Sequence, residues 1–366
     1  MALKVVLISF GFGEYSVRLA SALAHEARVC LMVPHWRAAP YLSALDEDVA
    51  YQPLARIRLR QPLQQIGMVS RIVRRILDFE PDVIHLQQGH PWFNLALPLL
   101  ARFPLVLTIH DPRPHLGDRS SRRVPQPIIR FGFRRADHII VHARQQRQEV
   151  VELLHVSSHR VHVIPHIAIG DETAQAHVEE ENHSILFFGR IWEYKGLEYL
   201  IRAEPLITAQ IPDVRIVIAG HGENFDRYQR MMVHQERFII YNHFITDNKR
   251  AELFRRASVV VLPYVDASQS GIIPLAYKFS RPVVATAVGG LPEMVEHGRT
   301  GYVVPPRNEK ELARAVVSLL RNGDLRRRFG ANGKRKIDTE CSPSVVAKLC
   351  IAVYRSASRE EQPNGV

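Results

Sequence analysis

Arg190 and Lys195 stand in the stretch FFGRIWEYKGLEYLIRA, where an apolar run ends at Gly189 and an amphipathic run begins after Gly196. Two cations at such a place suit a group whose negative charge grows as a bond breaks. Charge aimed there in advance stabilises a transition state more than a ground state. Arginine offers a planar fork and lysine a mobile point charge. Taken alone, an arginine and a lysine in a loop are ordinary solvated residues, so the surrounding elements must carry the case. His110 is a further candidate. A lone histidine is usually structural, but this one follows the apolar run PLVLTI directly, which puts it at the edge of a sheet.

Groups of this kind need a scaffold that brings strand ends together. The chain supplies short apolar runs in KVVLISF, RVCLMV, PDVIHLQ, PLVLTIHD, ADHIIVHA and RVHVIPH, separated by helix-length stretches. In YSVRLASALAHEA, Val17, Leu19, Ala20 and Leu23 fall on roughly one helical face. Such alternation predicts a parallel sheet covered by helices on both sides. After the polar, acidic stretch IAIGDETAQAHVEEENHS the pattern begins again with ILFFGR, VRIVIAG, FIIYNHF, SVVVLPY, RPVVATA and GYVVPP. The expected fold class is therefore α/β, with two Rossmann-like, doubly wound parallel-sheet domains facing across a cleft. Ligands belong at the C-terminal ends of the strands. The expected boundaries are residues 1–170 for the first domain, 171–183 for a linker and 184–343 for the second domain. A helix over 344–358 is expected to pack back across the junction, followed by a tail over 359–366.

Bulk properties agree with a two-domain globular chain. At 366 residues, with 46% hydrophobic and 23% charged residues, it exceeds what one core usually supports and lacks the bias of a disordered chain. Three cysteines with no CxxC pair indicate neither a disulfide framework nor a zinc ribbon, which suits the cytoplasm. The opening residues read as a first strand, not a signal peptide, and no apolar run is long enough for a membrane span. The eighteen histidines show no HExxH spacing, so no metal site is expected. The net charge is +11, and residues 1–170 hold 21 Lys and Arg against 13 Asp and Glu. That excess calls for a polyanionic neighbour. The arginines are scattered, without a nucleic-acid motif, so no nucleic acid is expected. An anionic membrane surface, met peripherally, or a phosphorylated acceptor fits.

GR and KG after a strand, together with PVVATAVGGLPEMVEHGRTGYVVPP, SFGFGEYSVRLASALA and TIHDP, resemble the retaining GT-B glycosyltransferases of glycosyltransferase family 4, also called glycosyl transferases group 1. The resemblance covers nearly the whole chain, and the long closing segment is its specific part. It implies sugar transfer from a nucleoside diphosphate to a carbohydrate or lipid-linked acceptor, with retention and with neither metal nor other cofactor. Arg190 and Lys195 would bind the donor diphosphate, and His110 would contact the transferred sugar. Gly11 and Gly13 would let backbone amides approach a substrate, and Gly189 and Gly220 belong to the donor side. The acceptor loops, among them Trp36 to Leu42 and His115 to Gln126, follow no pattern that names an acceptor.

One family feature is missing. Members carry two glutamates, for sugar and ribose, in the segment that here reads LPYVDASQSGIIPLAYKF. Depending on register the two positions are Ser268 and Ala276, or Ala267 and Leu275. The turn Ser268, Gln269, Ser270, Gly271 remains, with amides expected to cap the distal phosphate. His243 stands where members often have glycine, beside a base loop at Gly220 to Asn224. The alternative to an enzyme is a catalytically weakened GT-B-like protein that binds nucleotide or glycan.

Overall fold

The computed structural model describes residues 2–117, 125–170 and 179–360. Residues 171–178 of the expected linker, residues 361–366 of the expected tail, and Arg119, Arg122 and Arg123 lie outside the described residues. The chain divides into two compact units. The first runs to Pro112, resumes and continues to Ile167, and takes in the chain again from Ser342. The second comprises Ala168–Cys341 and a short segment beginning at Arg113. That short segment was expected with the first domain, and it groups with the second.

The sheet of the first unit is built from β1 (Leu3–Ser9), β2 (Ala27–Pro34), β3 (Ala50–Leu54), β4 (Val83–Gln88), β5 (Leu105–Thr108), β6 (His138–Val141) and β7 (Val161–Val163). All pairs are parallel, in the order β3-β2-β1-β4-β5-β6-β7. The runs are apolar end to end because both faces are covered: Val5, Val6, Leu7 and Ile8 of β1 are all fully buried. The helix Gly13–Ala24 buries Val17, Leu19, Ala20 and Leu23, the face read from sequence. Helix Pro343–Glu360, at the far end of the described chain, belongs to this same unit. It packs on helix Gly13–Ala24 and on β4 and β5, with the Tyr354 hydroxyl 2.6 Å from His85 Nδ1.

The second unit repeats the plan with β8 (Ser184–Phe188), β9 (Arg215–Gly220), β10 (Phe238–Asn242), β11 (Val259–Leu262), β12 (Val283–Thr286) and β13 (Gly301–Val304). They are again parallel, in the order β10-β9-β8-β11-β12-β13. Helix starts are fixed by side-chain caps: Asn308 accepts from the Glu311 amide at 3.0 Å and Asn322 from the Leu325 amide at 2.9 Å. Glu180, in the last part of the acidic stretch, accepts from Arg281 at 2.6 Å and Arg326 at 2.9 Å, which ties that stretch to this unit.

In each sheet the first strand lies between the second and the fourth. The crevice between first and fourth strands, at their C-terminal ends, is the switch point where open α/β sheets bind ligands. Those crevices lie at β1/β4 and β8/β11.

Candidate active site

At the β8/β11 crevice the chain turns through Gly189, Arg190 and Ile191 directly after β8. The β8 and β9 ends stay paired beyond the strands, with Gly189 N donating to Ala219 O and Ile191 N to His221 O, both at 2.9 Å. Gly220 permits this closeness: its φ is 149°, and a Cβ there would stand 1.8 Å from the Gly189 carbonyl oxygen. Arg190 is exposed and donates through Nη2 to the Tyr194 hydroxyl at 3.3 Å. Lys195 ends a single 3-10 turn, Glu193–Lys195, and its Nζ lies 3.8 Å from the centre of the Tyr264 ring and 5.0 Å from that of Tyr194. Tyr264 follows β11, so Lys195 reaches from the β8 side of the crevice to the β11 side. The two cations therefore occupy the switch point, as the sequence suggests.

The polar turn lies on the same side. Ser268 and Ser270 are buried, and Ser270 Oγ is 3.3 Å from the Tyr264 hydroxyl. Ser270 Oγ also accepts from the Ile272 amide at 3.3 Å, so that amide has an internal partner. Gly271 caps a helix of only seven residues, Ile272–Lys278. Ala276 and Leu275 both sit within the hydrophobic core, at 0% and 1% exposure. In either register the second glutamate position thus points into apolar packing that a carboxylate would not tolerate. A side chain not anticipated is Asp266, whose Oδ2 is 3.1 Å from His115 Nδ1, and the His115 ring stacks on Tyr194 at 4.6 Å. The His115 hydrogen bond holds the Asp266 carboxyl below its usual pKa, against an opposing effect of burial. His243 is exposed at the end of β10 and donates from Nδ1 to the Phe244 carbonyl at 2.9 Å.

In the first unit the β1/β4 crevice holds Gly11, Phe12 and Gly13 after β1 and Gln87 and Gln88 at the end of β4. Gly13 answers to the fold itself, whereas Gly11 faces a side chain. A Cβ on Gly13 would lie 2.0 Å from the Arg37 carbonyl oxygen, and one on Gly11 would lie 1.9 Å from Gln88 Oε1. Between them Phe12 takes the left-handed conformation at φ 41° and ψ 50°, a costly choice for a side chain of its size. Its ring stacks on His110 at 4.0 Å while remaining 37% exposed.

His110 lies inside a chain of buried polar groups whose protons are determined by its far end. The Ile164 carbonyl, 2.9 Å from His142 Nδ1, can only accept, so His142 carries its proton on Nδ1. His142 Nε2 then accepts from His110 Nδ1 at 3.1 Å, and His110 Nε2 accepts from Gln87 Nε2 at 3.0 Å. Gln146 braces the arrangement, accepting from the His142 amide at 2.9 Å and donating to the His110 carbonyl at 2.7 Å. Every histidine here is neutral. Burial lowers His142 and His85 to about 3 and His166 to about 4, and it lowers His110 well below the ordinary value, with His142 adding to the effect. This alters the expected role of His110: Gln87 and His142 engage both of its ring nitrogens, leaving none for a sugar in this arrangement.

Phe12, Gln87, His142 and Tyr264 were not singled out from the sequence. A signal existed for the histidines, since β5, β6 and β7 are each followed within three residues by one, at His110, His142 and His166. Tyr264 gave none, because its position follows from strand order. The three cysteines are buried, and their thiols are raised to about 11 for Cys30 and about 12 for Cys341 and Cys350, which makes them packing residues.

Two Rossmann-type sheets in one chain, each with a glycine turn at its switch point, define the class as GT-B. Residues 11–167 match the family model described as Glycosyltransferase Family 4, and residues 182–322 match that of Glycosyl transferases group 1. The chain belongs to this family and is a glycosyltransferase. It is similar to an uncharacterised glycosyltransferase of Methanocaldococcus jannaschii, 33% identical over 186 residues, 49% of this chain and 46% of that one. That match spans about half the length of the relative. The alpha-maltose-1-phosphate synthase of Mycolicibacterium smegmatis is 26% identical over 386 residues, covering 95% of this chain and 96% of the other. Among solved structures, Anabaena HepE in complex with UDP shares the fold at a TM-score of 0.73 and 15% identity, covering 97% of this chain and all of that one.

Proposed function

We propose that this enzyme transfers a sugar from a nucleoside diphosphate to a carbohydrate or lipid-linked acceptor, with retention, and that Arg190 and Lys195 carry the diphosphate. The observation behind this reading is the meeting of the two cations at the β8/β11 switch point, Lys195 reaching Tyr264 across the crevice. The alpha-maltose-1-phosphate synthase named above and a fold relative solved with UDP support the donor class. In the reaction the acceptor oxygen forms a bond to the anomeric carbon on the face from which the phosphate oxygen departs, and the acceptor proton passes to that oxygen. The charge left on the diphosphate falls to Arg190 and Lys195, and the reading calls for no metal or other cofactor. His110 can take part only by exchange, a sugar hydroxyl replacing the Gln87 amide as donor to Nε2. Gly189 and Gly220 shape the donor turn, and Ser268, Ser270 and Gly271 line its far side.

Lys195→Ala should lower turnover at least tenfold with melting behaviour retained, because removing one preorganised charge costs on the order of 10² to 10³ in rate. Near-normal transfer by the folded variant would end the assignment. The first experiment is a thermal-shift screen of nucleotide sugars, since a donor that binds the folded state raises the melting temperature without any knowledge of the acceptor. Once the donor is found, product anomeric configuration by NMR tests retention.

The acceptor, in the same reading, is met at the cytoplasmic face of an anionic membrane. Three neighbouring helices of the first unit present the surface. Helix Pro62–Phe79 exposes Leu63 at 83% and Ile66, the segment Pro91–Leu100 exposes Leu95 and Leu99 at 68%, and helix Gln126–Arg135 exposes Phe131. They are joined side by side, with Trp92 Nε1 donating to Leu59 O at 3.2 Å and Asn94 Nδ2 to Ile128 O at 3.3 Å. From Asp48 to Asp78 the intervening chain holds six arginines and no acidic residue. Exposed leucines among arginines suit an anionic interface, where apolar burial and charge attraction add. No helix among the described residues is long and apolar enough to cross a membrane. Phosphatidylglycerol vesicles at low salt should sediment with the protein, and Leu63→Gln with Leu99→Gln should weaken this about tenfold or more, each leucine contributing about 2 kcal/mol when fully buried. Failure of the unaltered protein to bind would dismiss the membrane.

A further inference from the structure

Beside the glycine turn of the first unit lies a pair of arginines that the transfer chemistry described above does not use. The Arg37 guanidinium carbon lies 4.0 Å from the centre of the Trp36 ring, and that of Arg56 lies 4.7 Å from the same centre. Trp36 and Arg37 belong to the short helix His35–Ala38 that follows β2 without a break, and Arg56 comes two residues after β3. All three therefore stand at the C-terminal edge of the sheet, Trp36 and Arg37 one strand over from the β1/β4 crevice and Arg56 two. The backbone is anchored there: the Arg37 carbonyl occupies the space that a Cβ on Gly13 would need.

Two like charges on one indole repel each other, and no carboxylate among the described residues lies within ion-pair distance of either. The Arg37 guanidinium is pushed below its usual pKa first by burial and then by Arg56. Structural arginines ordinarily find an acid. Two guanidiniums held against one aromatic ring, with no acid beside them, are arranged for an anion with several oxygens, which planar forks can share. All three residues are exposed, so a ligand can reach them.

We propose that Trp36, Arg37 and Arg56 form a binding site for a phosphate group on the acceptor. This rests on the transferase reading only for the word acceptor; the anion site stands on its own geometry. It gives the basic first unit a specific point of use and sets the substrate class as phosphorylated.

The test uses the full-length protein and glycerol 3-phosphate as probe, read by tryptophan fluorescence. A saturable change is expected that neutral glycerol does not produce and that Trp36→Phe abolishes. Arg56→Gln, at an exposed position, should raise the half-saturating concentration at least fivefold. Arg37→Gln with Arg56→Gln should raise it tenfold or more, while Arg58→Gln on the same segment should change it less than twofold. Absence of a saturable change, or equal loss with Arg58→Gln, overturns the site, the latter by reducing it to general attraction of a basic face. Displacement of the probe by UDP also overturns it, by giving the arginines to the donor. Thermal stabilisation by the panel of nucleotide sugars is measured alongside. If one of them stabilises the protein and the probe fails, this site alone falls; if the probe binds and none of them stabilises, the donor reading of Arg190 and Lys195 falls and the anion site remains.

Discussion

At the scale of single residues, the β8/β11 crevice depends on backbone that has no room for side chains. Gly196, immediately after Lys195, has φ 63°, and a Cβ on it would lie 2.0 Å from the Pro263 carbonyl oxygen. Since that neighbour is backbone, it cannot swing aside. Gly196→Ala should therefore cost about 1–3 kcal/mol and weaken donor binding by moving Lys195 off Tyr264, measured by urea unfolding and by nucleotide titration. Unchanged stability would mean that the loop has slack. The cations were legible in the sequence because their chemistry depends on type and on nearness to a strand end. Their partners were not. Tyr264 meets Lys195 only because β11 lies beside β8, a neighbour 65 or more residues away that no local pattern announces. His110 was legible as a position at the sheet edge, but the engagement of both its nitrogens depends on Gln87 and His142 from strands on either side.

At the scale of elements, the strands could be read because burial on both faces leaves continuous apolar runs. Twelve such runs correspond to strands, and the one strand not anticipated is β3. It is an edge strand, reads AYQPL, and contains Pro53, which lacks the amide a central strand would need. Its half-exposed surface removes the apolar signal as well. The helix after Ser342 was recognisable as a helix, yet its place against helix Gly13–Ala24 comes from long-range packing. That docking can be weighed at one hydrogen bond. Tyr354→Phe would leave the buried His85 Nδ1 without its partner while keeping the ring, and should cost about 1–3 kcal/mol. A calorimetric scan in which the transition does not move would show that ring packing alone holds the helix.

At the scale of the whole molecule, the buried neutral histidines make stability depend on pH. In the unfolded chain each titrates near the ordinary 6.5, whereas in the folded first unit His85 and His142 titrate at about 3 and His166 at about 4. Above 6.5 both states are neutral and the full stability is present. As pH falls below 6.5 the unfolded chain takes up protons that the folded one refuses, so stability declines until the folded pKa values are reached. The three together cost about 4 kcal/mol for each pH unit, against a typical total stability of about 5–15 kcal/mol. The melting temperature should be level from pH 7 to 8 and fall steeply below 6.5, with the first unit unfolding near pH 5. A level profile down to pH 4 would mean that the cluster is hydrated.

The return of the chain to its first unit at Ser342 bears on how the protein is made. Synthesis proceeds from the N-terminus, and domains generally fold as units while the chain emerges. The second unit, nearly all of it within Ala168–Cys341, has been translated in full before translation of the last helix of the first unit begins. The unit begun first is therefore completed after the second, and the face of helix Gly13–Ala24 that will receive helix Pro343–Glu360 stays uncovered until then. During that interval a nascent chain carries an open apolar flank, the kind of surface that chaperones hold. Ribosomes that stall before codon 343 would release a protein with a complete β8/β11 crevice and an unfinished first unit.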